Sequence, residues 1–164
     1  MKLLITGSPG TGKTTIAKHL AKRLRCKTIN EADFALQKGI AKWDHSNAEL
    51  EIPLRKLKQE LSKVLSKGSN IIIEGHTLCE IKLDVDAVVL LRVHPEILQE
   101  RLERKGYNDV KIMDNVFCEG IDYCKKHVFR RYKRDKVIEV KNEKGIKETL
   151  HIIIKELKER GMYG

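Results

Sequence analysis

No run of about 18 apolar residues occurs in this 164-residue chain, so no helix of it is expected to cross a bilayer. The first residues enter an apolar segment directly, without a cleavable signal pattern, and the expected location is cytoplasmic. Cysteine is sparse as well: Cys26, Cys79, Cys118 and Cys124 form no C-x-x-C pair and no close Cys/His set. That spacing sets aside a structural zinc and reads the four as reduced, structural thiols. Internal repeats, low-complexity tracts and linkers are missing, which leaves a single domain long enough to bury its own core. Aromatic residues reach only 5% while charged residues reach 34%, a balance also met in proteins of hot-growing organisms, where Lys and Glu form surface ion-pair networks.

The charge itself is lopsided. Thirty-three Lys and Arg stand against 23 Asp and Glu, a formal net charge of +10, which favours polyanionic partners from nucleotides to RNA or an acidic protein face.

The segment Gly7-Ser8-Pro9-Gly10-Thr11-Gly12-Lys13-Thr14 matches G-x-x-x-x-G-K-[ST]. It stands between the apolar run Lys2-Leu3-Leu4-Ile5-Thr6 and the helical pattern from Thr15 onward. Glycines let such a loop turn tightly and aim its N–H groups inward, while the helix that follows presents the positive end of its dipole. Gly10, Thr11, Gly12, Lys13, Thr14 and Thr15 are therefore the expected ATP-binding residues. Lys13 is expected to reach the β- and γ-phosphates, and the Thr14 hydroxyl to ligate Mg2+.

Short β-rich runs alternate with longer helical patterns along the chain. Strands are expected at 2–6, 27–30, 70–74, 86–93 and 136–140, and helices at 13–24, 31–38, 50–66, 95–105, 114–133 and 145–160. Continuously apolar runs such as Ile71-Ile72-Ile73 and Ala87-Val88-Val89-Leu90-Leu91 suit strands buried on both sides. The expected fold is α/β: a P-loop NTPase with a doubly wound, five-stranded parallel sheet, helices on both faces and a short lid. Pro95 suits a first helical turn and Gly68 a helix stop. Weak periodicity over 39–51 marks a mobile segment, and Trp43 within it reads more readily as a core anchor than as a nucleobase neighbour.

Glu74 closes the run Ile71-Ile72-Ile73, where a second carboxylate can serve the magnesium shell. Arg101 and Lys105 lie four apart on one helical face, either a solvated basic surface or a pair aimed at phosphates. Together with Glu100-Arg101-Leu102, Gly106-Tyr107-Asn108, Lys111, Asp114-Asn115 and Cys118-Glu119, this stretch resembles the lid signature of the adenylate-kinase-like CINAP family, described both as adenylate kinase isoenzyme 6 and as a ribosome-assembly ATPase. The resemblance covers nearly the whole chain, and the family's D-x-H element falls on Glu74-Gly75-His76.

The resemblance implies a monophosphate-binding segment at about 30–53, a lid at about 104–114, and adenylate kinase chemistry (ATP + AMP to 2 ADP) alongside ATPase activity. It also implies a role in small-subunit rRNA maturation, with rRNA and a small-subunit ribosomal protein of the S11 type as partners. Lys13, His76, Arg101 and Lys105 are the catalytic candidates, Thr14 and Glu74 the metal ligands, and Arg104 and Lys105 two candidates for the same grip on nucleotide. Glu74 replaces the family's aspartate and Lys105 its arginine. Asp33 matches a family aspartate and either binds a monophosphate's sugar or caps its helix. Between Asn30 and Pro53 the only cations are Lys38 and Lys42, which weakens the kinase reading. The basic stretch from Lys125 to Lys136 is a solvated helix face or an RNA footprint. A kinase of another nucleotide or of a small metabolite is the alternative.

Overall fold

The computed structural model describes residues 1–164. Its five-stranded sheet is parallel throughout, in the order β2-β5-β1-β6-β7. The strands are β1 (Lys2–Thr6), β2 (Lys27–Asn30), β5 (Ile71–Glu74), β6 (Ala87–Arg92) and β7 (Val137–Lys141). Alternation at period two sends Leu4, Ile73, Val88 and Leu90 to one apolar layer, and Leu3, Ile5, Ile72, Val89 and Leu91 to the other. Helices α3 (Leu54–Lys67) and α6 (Tyr123–Arg131) complete the first layer, whereas α1 (Lys13–Leu24) and α7 (Ile146–Glu159) cover the second. The chain winds from β1 outward to β2 and back through β5, then crosses to β6. Its crevice opens where β1 meets these neighbours, at the carboxyl ends of the strands. The expected fold is the one found.

Three expected elements differ. The segment 39–51 is an antiparallel hairpin, β3 (Lys42–Asp44) with β4 (Glu49–Glu51), closed by a turn in which the Asp44 carboxylate accepts from Ser46 N and Asn47 N. Trp43 stands on that hairpin 54% exposed and is not a core anchor. Helix α3 starts at Leu54 because Pro53 at its N-cap supplies a preset backbone angle but no N–H. The long helix expected at 114–133 is two, α5 (Asp109–Gly120) and α6, broken at Asp122 in a left-handed conformation (φ 60°). A salt bridge from Arg92 to Asp122 holds that break in place (2.5 Å).

Other expectations match local chemistry. Pro95 sits in the first turn of α4 (Pro95–Arg104), and Gly68 caps α3. The 30–53 segment spans the end of β2, helix α2 (Glu31–Gln37) and the hairpin, and 104–114 spans the turn between α4 and α5. All four cysteines are free thiols, and no helix is long and apolar enough to cross a membrane.

Candidate active site

The loop between β1 and α1 wraps back on itself. Thr11 N and Thr11 Oγ1 both donate to Ser8 O, at 3.3 and 2.8 Å. Gly10 and Gly12 adopt positive φ of 86° and 91°, a conformation that carries a steric cost for any residue with a Cβ. Lys13 is buried and donates from Nζ to Ser8 O at 2.9 Å. Burial pulls its pKa below the ordinary lysine value, the carboxylates of Glu31 and Glu74 pull it back up, and Lys105 pushes it down again. Lys13 and Lys105 line one cleft as like charges.

At the end of β5, Glu74 Oε1 accepts from Thr14 Oγ1 at 3.0 Å and from Asn30 Nδ2 at 2.6 Å. The structure thus brings together the two expected metal ligands. Their donors are a hydroxyl and a carboxylate, the hard oxygens that Mg2+ selects. No group of three or more His, Cys, Asp or Glu converges as a metal cage.

A cleft of about 460 Å³ runs from this loop between two walls. One wall is α2 and the hairpin, with Asn30, Glu31 and Leu50; the other is the α4–α5 turn, with Lys105, Tyr107 and Lys111. Lys111 Nζ bridges the walls by donating to Ala48 O at 2.9 Å. Thr15 and His76 also line the cleft.

Three expected residues stand elsewhere. Both side chains of the Arg104/Lys105 pair are exposed, and of the two only Lys105 lines the cleft. Arg101 donates to Gly10 O (3.4 Å) and Asn142 O (2.6 Å), pinning the loop after β7 to the phosphate loop. Asp33 is not a helix cap: Asn30 caps α2, its Oδ1 accepting from Asp33 N at 3.0 Å. The Asp33 side chain opens instead on an adjoining cavity of about 570 Å³ that shares Thr14, Asn30 and Glu74 with the cleft.

Two supporting residues, Asn142 and Thr149, came from outside every motif. Asn142 Nδ2 donates to Thr11 O at 2.8 Å, and Thr149 Oγ1 donates to Asn142 Oδ1 at 2.7 Å, so α7 steadies the loop from behind. Ser8 Oγ donates to Glu119 Oε2 at 2.5 Å, and Glu119 in turn pairs with Arg92 at 2.6 Å. For Glu119 the one sequence signal is its place in the lid signature; for Asn142 there is none. A Cβ on Gly12 would lie 2.5 Å from Asn142 Nδ2. Gly12→Ala is expected to lose about 1–2 kcal/mol from backbone strain and to weaken ATP binding as Asn142 is displaced. Thermal denaturation with and without MgATP measures both, and an unchanged melting temperature would contradict it.

Comparisons with known proteins bear on the family and the fold. The model of the family described as AAA domain matches residues 3–122. A protein of Pyrococcus furiosus named "Putative adenylate kinase" is 38% identical over 165 residues, covering 98% of this chain and 88% of the relative. Its namesake in Thermococcus kodakarensis is 34% identical, with 98% and 89% covered. Among solved structures, shikimate kinase from Aquifex aeolicus superposes with a TM-score of 0.69 at 21% identity, each chain covered in full. Deoxyadenosine kinase from M. mycoides with bound dATP gives 0.62 at 16% identity, with 96% of this chain and all of the other covered. At such identities these structures speak for the fold of a P-loop kinase alone. The relatives' names stop at adenylate kinase and say nothing of ribosome assembly. Matched over most of its length in sequence, and built around the same phosphate loop, the chain belongs to this AAA-domain family, in the company of archaeal members named as adenylate kinases.

Proposed function

We propose that the protein is a magnesium-dependent nucleotide kinase that moves the γ-phosphoryl group of ATP to AMP or a closely related monophosphate, with slower hydrolysis of ATP at the same site. The observation that carries this reading is the presence of Lys13 and Lys105 in one cleft beside the Thr14–Glu74 pair. Two cations in one cleft repel each other, and a polyphosphate bound there attracts both.

Each residue then has a defined task. Main-chain N–H groups of Gly10, Gly12 and Lys13 cradle the phosphate tail, and Lys13 neutralises its distal oxygens. Thr14 and Glu74 hold the metal, directly or through water, while Asn30 keeps the Glu74 carboxylate oriented. Magnesium bound there supplies positive charge against the phosphate oxygens. Lys105 and Lys111 approach from the α4–α5 wall, where the acceptor's phosphate would lie, and Leu50 and Ile52, on and just after the hairpin of the other wall, give apolar cover. Phosphoryl transfer passes through a loose transition state that needs positioned cations more than covalent chemistry.

The scarcity of cations in 30–53 is thus offset from across the cleft by Lys105 and Lys111. A second reading, an ATPase acting in small-subunit rRNA maturation, is supported by the exposed cations Lys126, Arg130, Lys133 and Arg134 around the end of α6, the kind of surface that binds a phosphate backbone.

The test measures ADP formation from MgATP with and without AMP, then with other monophosphates, shikimate and rRNA. Two ADP per ATP, dependent on AMP, is the expected result. Phosphate release indifferent to AMP and stimulated by rRNA would shift the conclusion to the second reading, and neither activity would end both.

A further inference from the structure

Glu31 opens α2, yet it is 2% exposed and its carboxylate is saturated with donors. Oε1 accepts from His76 N at 2.9 Å and from Thr77 N at 3.1 Å, while Oε2 accepts from Thr77 Oγ1 at 2.7 Å. His76 Nδ1 lies 3.1 Å from the same Oε1. Room for this carboxylate exists because residue 75 is glycine: a Cβ there would fall 2.1 Å from Glu31 Cδ. Burial alone would raise the Glu31 pKa, but the hydrogen bonds from His76 and Thr77 outweigh it and hold the group below the ordinary carboxylate range.

An ionised carboxylate has no proton to donate, so the Nδ1 that faces it must carry one. Nε2 of a neutral ring is then an acceptor. The imidazole is 55% exposed and lines the cleft with Lys13, Thr14 and Glu74.

We propose that Glu31 is a positioning residue that locks His76 in its Nδ1–H tautomer and so leaves Nε2, at the far edge of a ring lining the cleft, to orient water for attack on the γ-phosphorus. The inference rests on the phosphotransfer reading above and assigns its hydrolytic branch. The water oxygen bonds to phosphorus, the bond to the ADP oxygen breaks with its electron pair staying on ADP, one water proton remains on the released phosphate and the other leaves to solvent. The carboxylate at position 31 gathers His76 N, Thr77 N and His76 Nδ1 on one oxygen, and so plays toward His76 the part that a buried acid plays toward a histidine in catalytic triads.

Two measurements test it. Long-range 1H–15N correlation spectra, with the His76 ring assigned by its loss in His76→Ala, are expected to show the Nδ1–H tautomer in the wild-type protein and its loss in Glu31→Ala, which removes the acceptor. The opposite tautomer in the wild type would overturn the proposal. In kinetics, Glu31→Ala and His76→Ala are each expected to slow AMP-independent phosphate release by about 10²-fold, the lower end of what a positioned acid–base group contributes. The double variant should lie within about twofold of either single one, because both act through one group. Glu31→Asp should recover part of the rate. Losses that multiply in the double variant, or release unchanged in Glu31→Ala, would overturn the proposal. A wild-type protein that turns over no ATP would end the phosphotransfer reading separately, and the tautomer spectrum would then decide the case of Glu31 alone.

Discussion

Lys13→Ala is expected to lower the rate of phosphoryl transfer by about 10²–10³-fold, the scale seen when one preorganised group stabilising transition-state charge is removed. Lys13 is the cation held deepest in the loop, fixed by a single hydrogen bond to Ser8 O. Burial pushes its pKa below the ordinary lysine value, and the carboxylates of Glu31 and Glu74 act against that shift. The loop should survive the substitution, because Thr11 and Asn142 still fasten it: Thr11 through its own bonds to Ser8 O, Asn142 through Thr11 O. A far-ultraviolet circular dichroism spectrum and melting temperature close to the parent, with turnover lost, is the expected pair of results. Full activity in this variant would remove the phosphate loop from the reaction.

The second large effect falls on stability. Arg92 reaches from the end of β6 to Glu119 at 2.6 Å and to Asp122 at 2.5 Å, with side-chain exposures of 15% for Arg92 and 2% for Glu119. Arg92→Ala leaves the Glu119 carboxylate buried without its countercharge, a loss of about 3–5 kcal/mol for such pairs. Ser8 Oγ and Val93 N still donate to Glu119, so the lower end, about 3 kcal/mol, is expected. For a chain of this length that is a fall in melting temperature on the order of 10 °C. Because Glu119 also holds Ser8, and Arg92 holds the break between α5 and α6, ATP binding should weaken in parallel. Replacing Arg92 and Glu119 together by leucine should recover much of the lost stability, since no buried charge is then left alone. A variant Arg92→Ala that melts with the parent would show the pair to be dispensable.

Proximity along the chain separates what could be read early from what could not. Loop, strand and helix of the phosphate site are contiguous, so pattern and spacing were enough to locate Lys13 and Thr14, and the apolar runs at 71–73 and 87–91 announced a sheet covered on both faces. The lid signature likewise placed Lys105 and Lys111 on one short stretch. Errors arose where local pattern met a distant partner. The 114–133 helical pattern is continuous in periodicity, yet Arg92, 30 residues away, bends it at Asp122. Trp43 reads as core by its apolarity, but the hairpin that carries it projects from the domain and leaves it exposed.

Residues chosen for their own chemistry, then, were open to inspection from the linear chain: a glycine-rich turn, a terminal carboxylate on a buried strand, cations four apart on a helix. Residues that matter through what they touch were closed to it. Asn142 lies 131 positions from Thr11, and Glu31 lies 45 from His76, separations at which nothing but the packing of the sheet and its helices selects one partner among many. Arg101 and Arg104 illustrate both limits, because their charges were visible at once while their directions depended on which side of α4 met the phosphate loop.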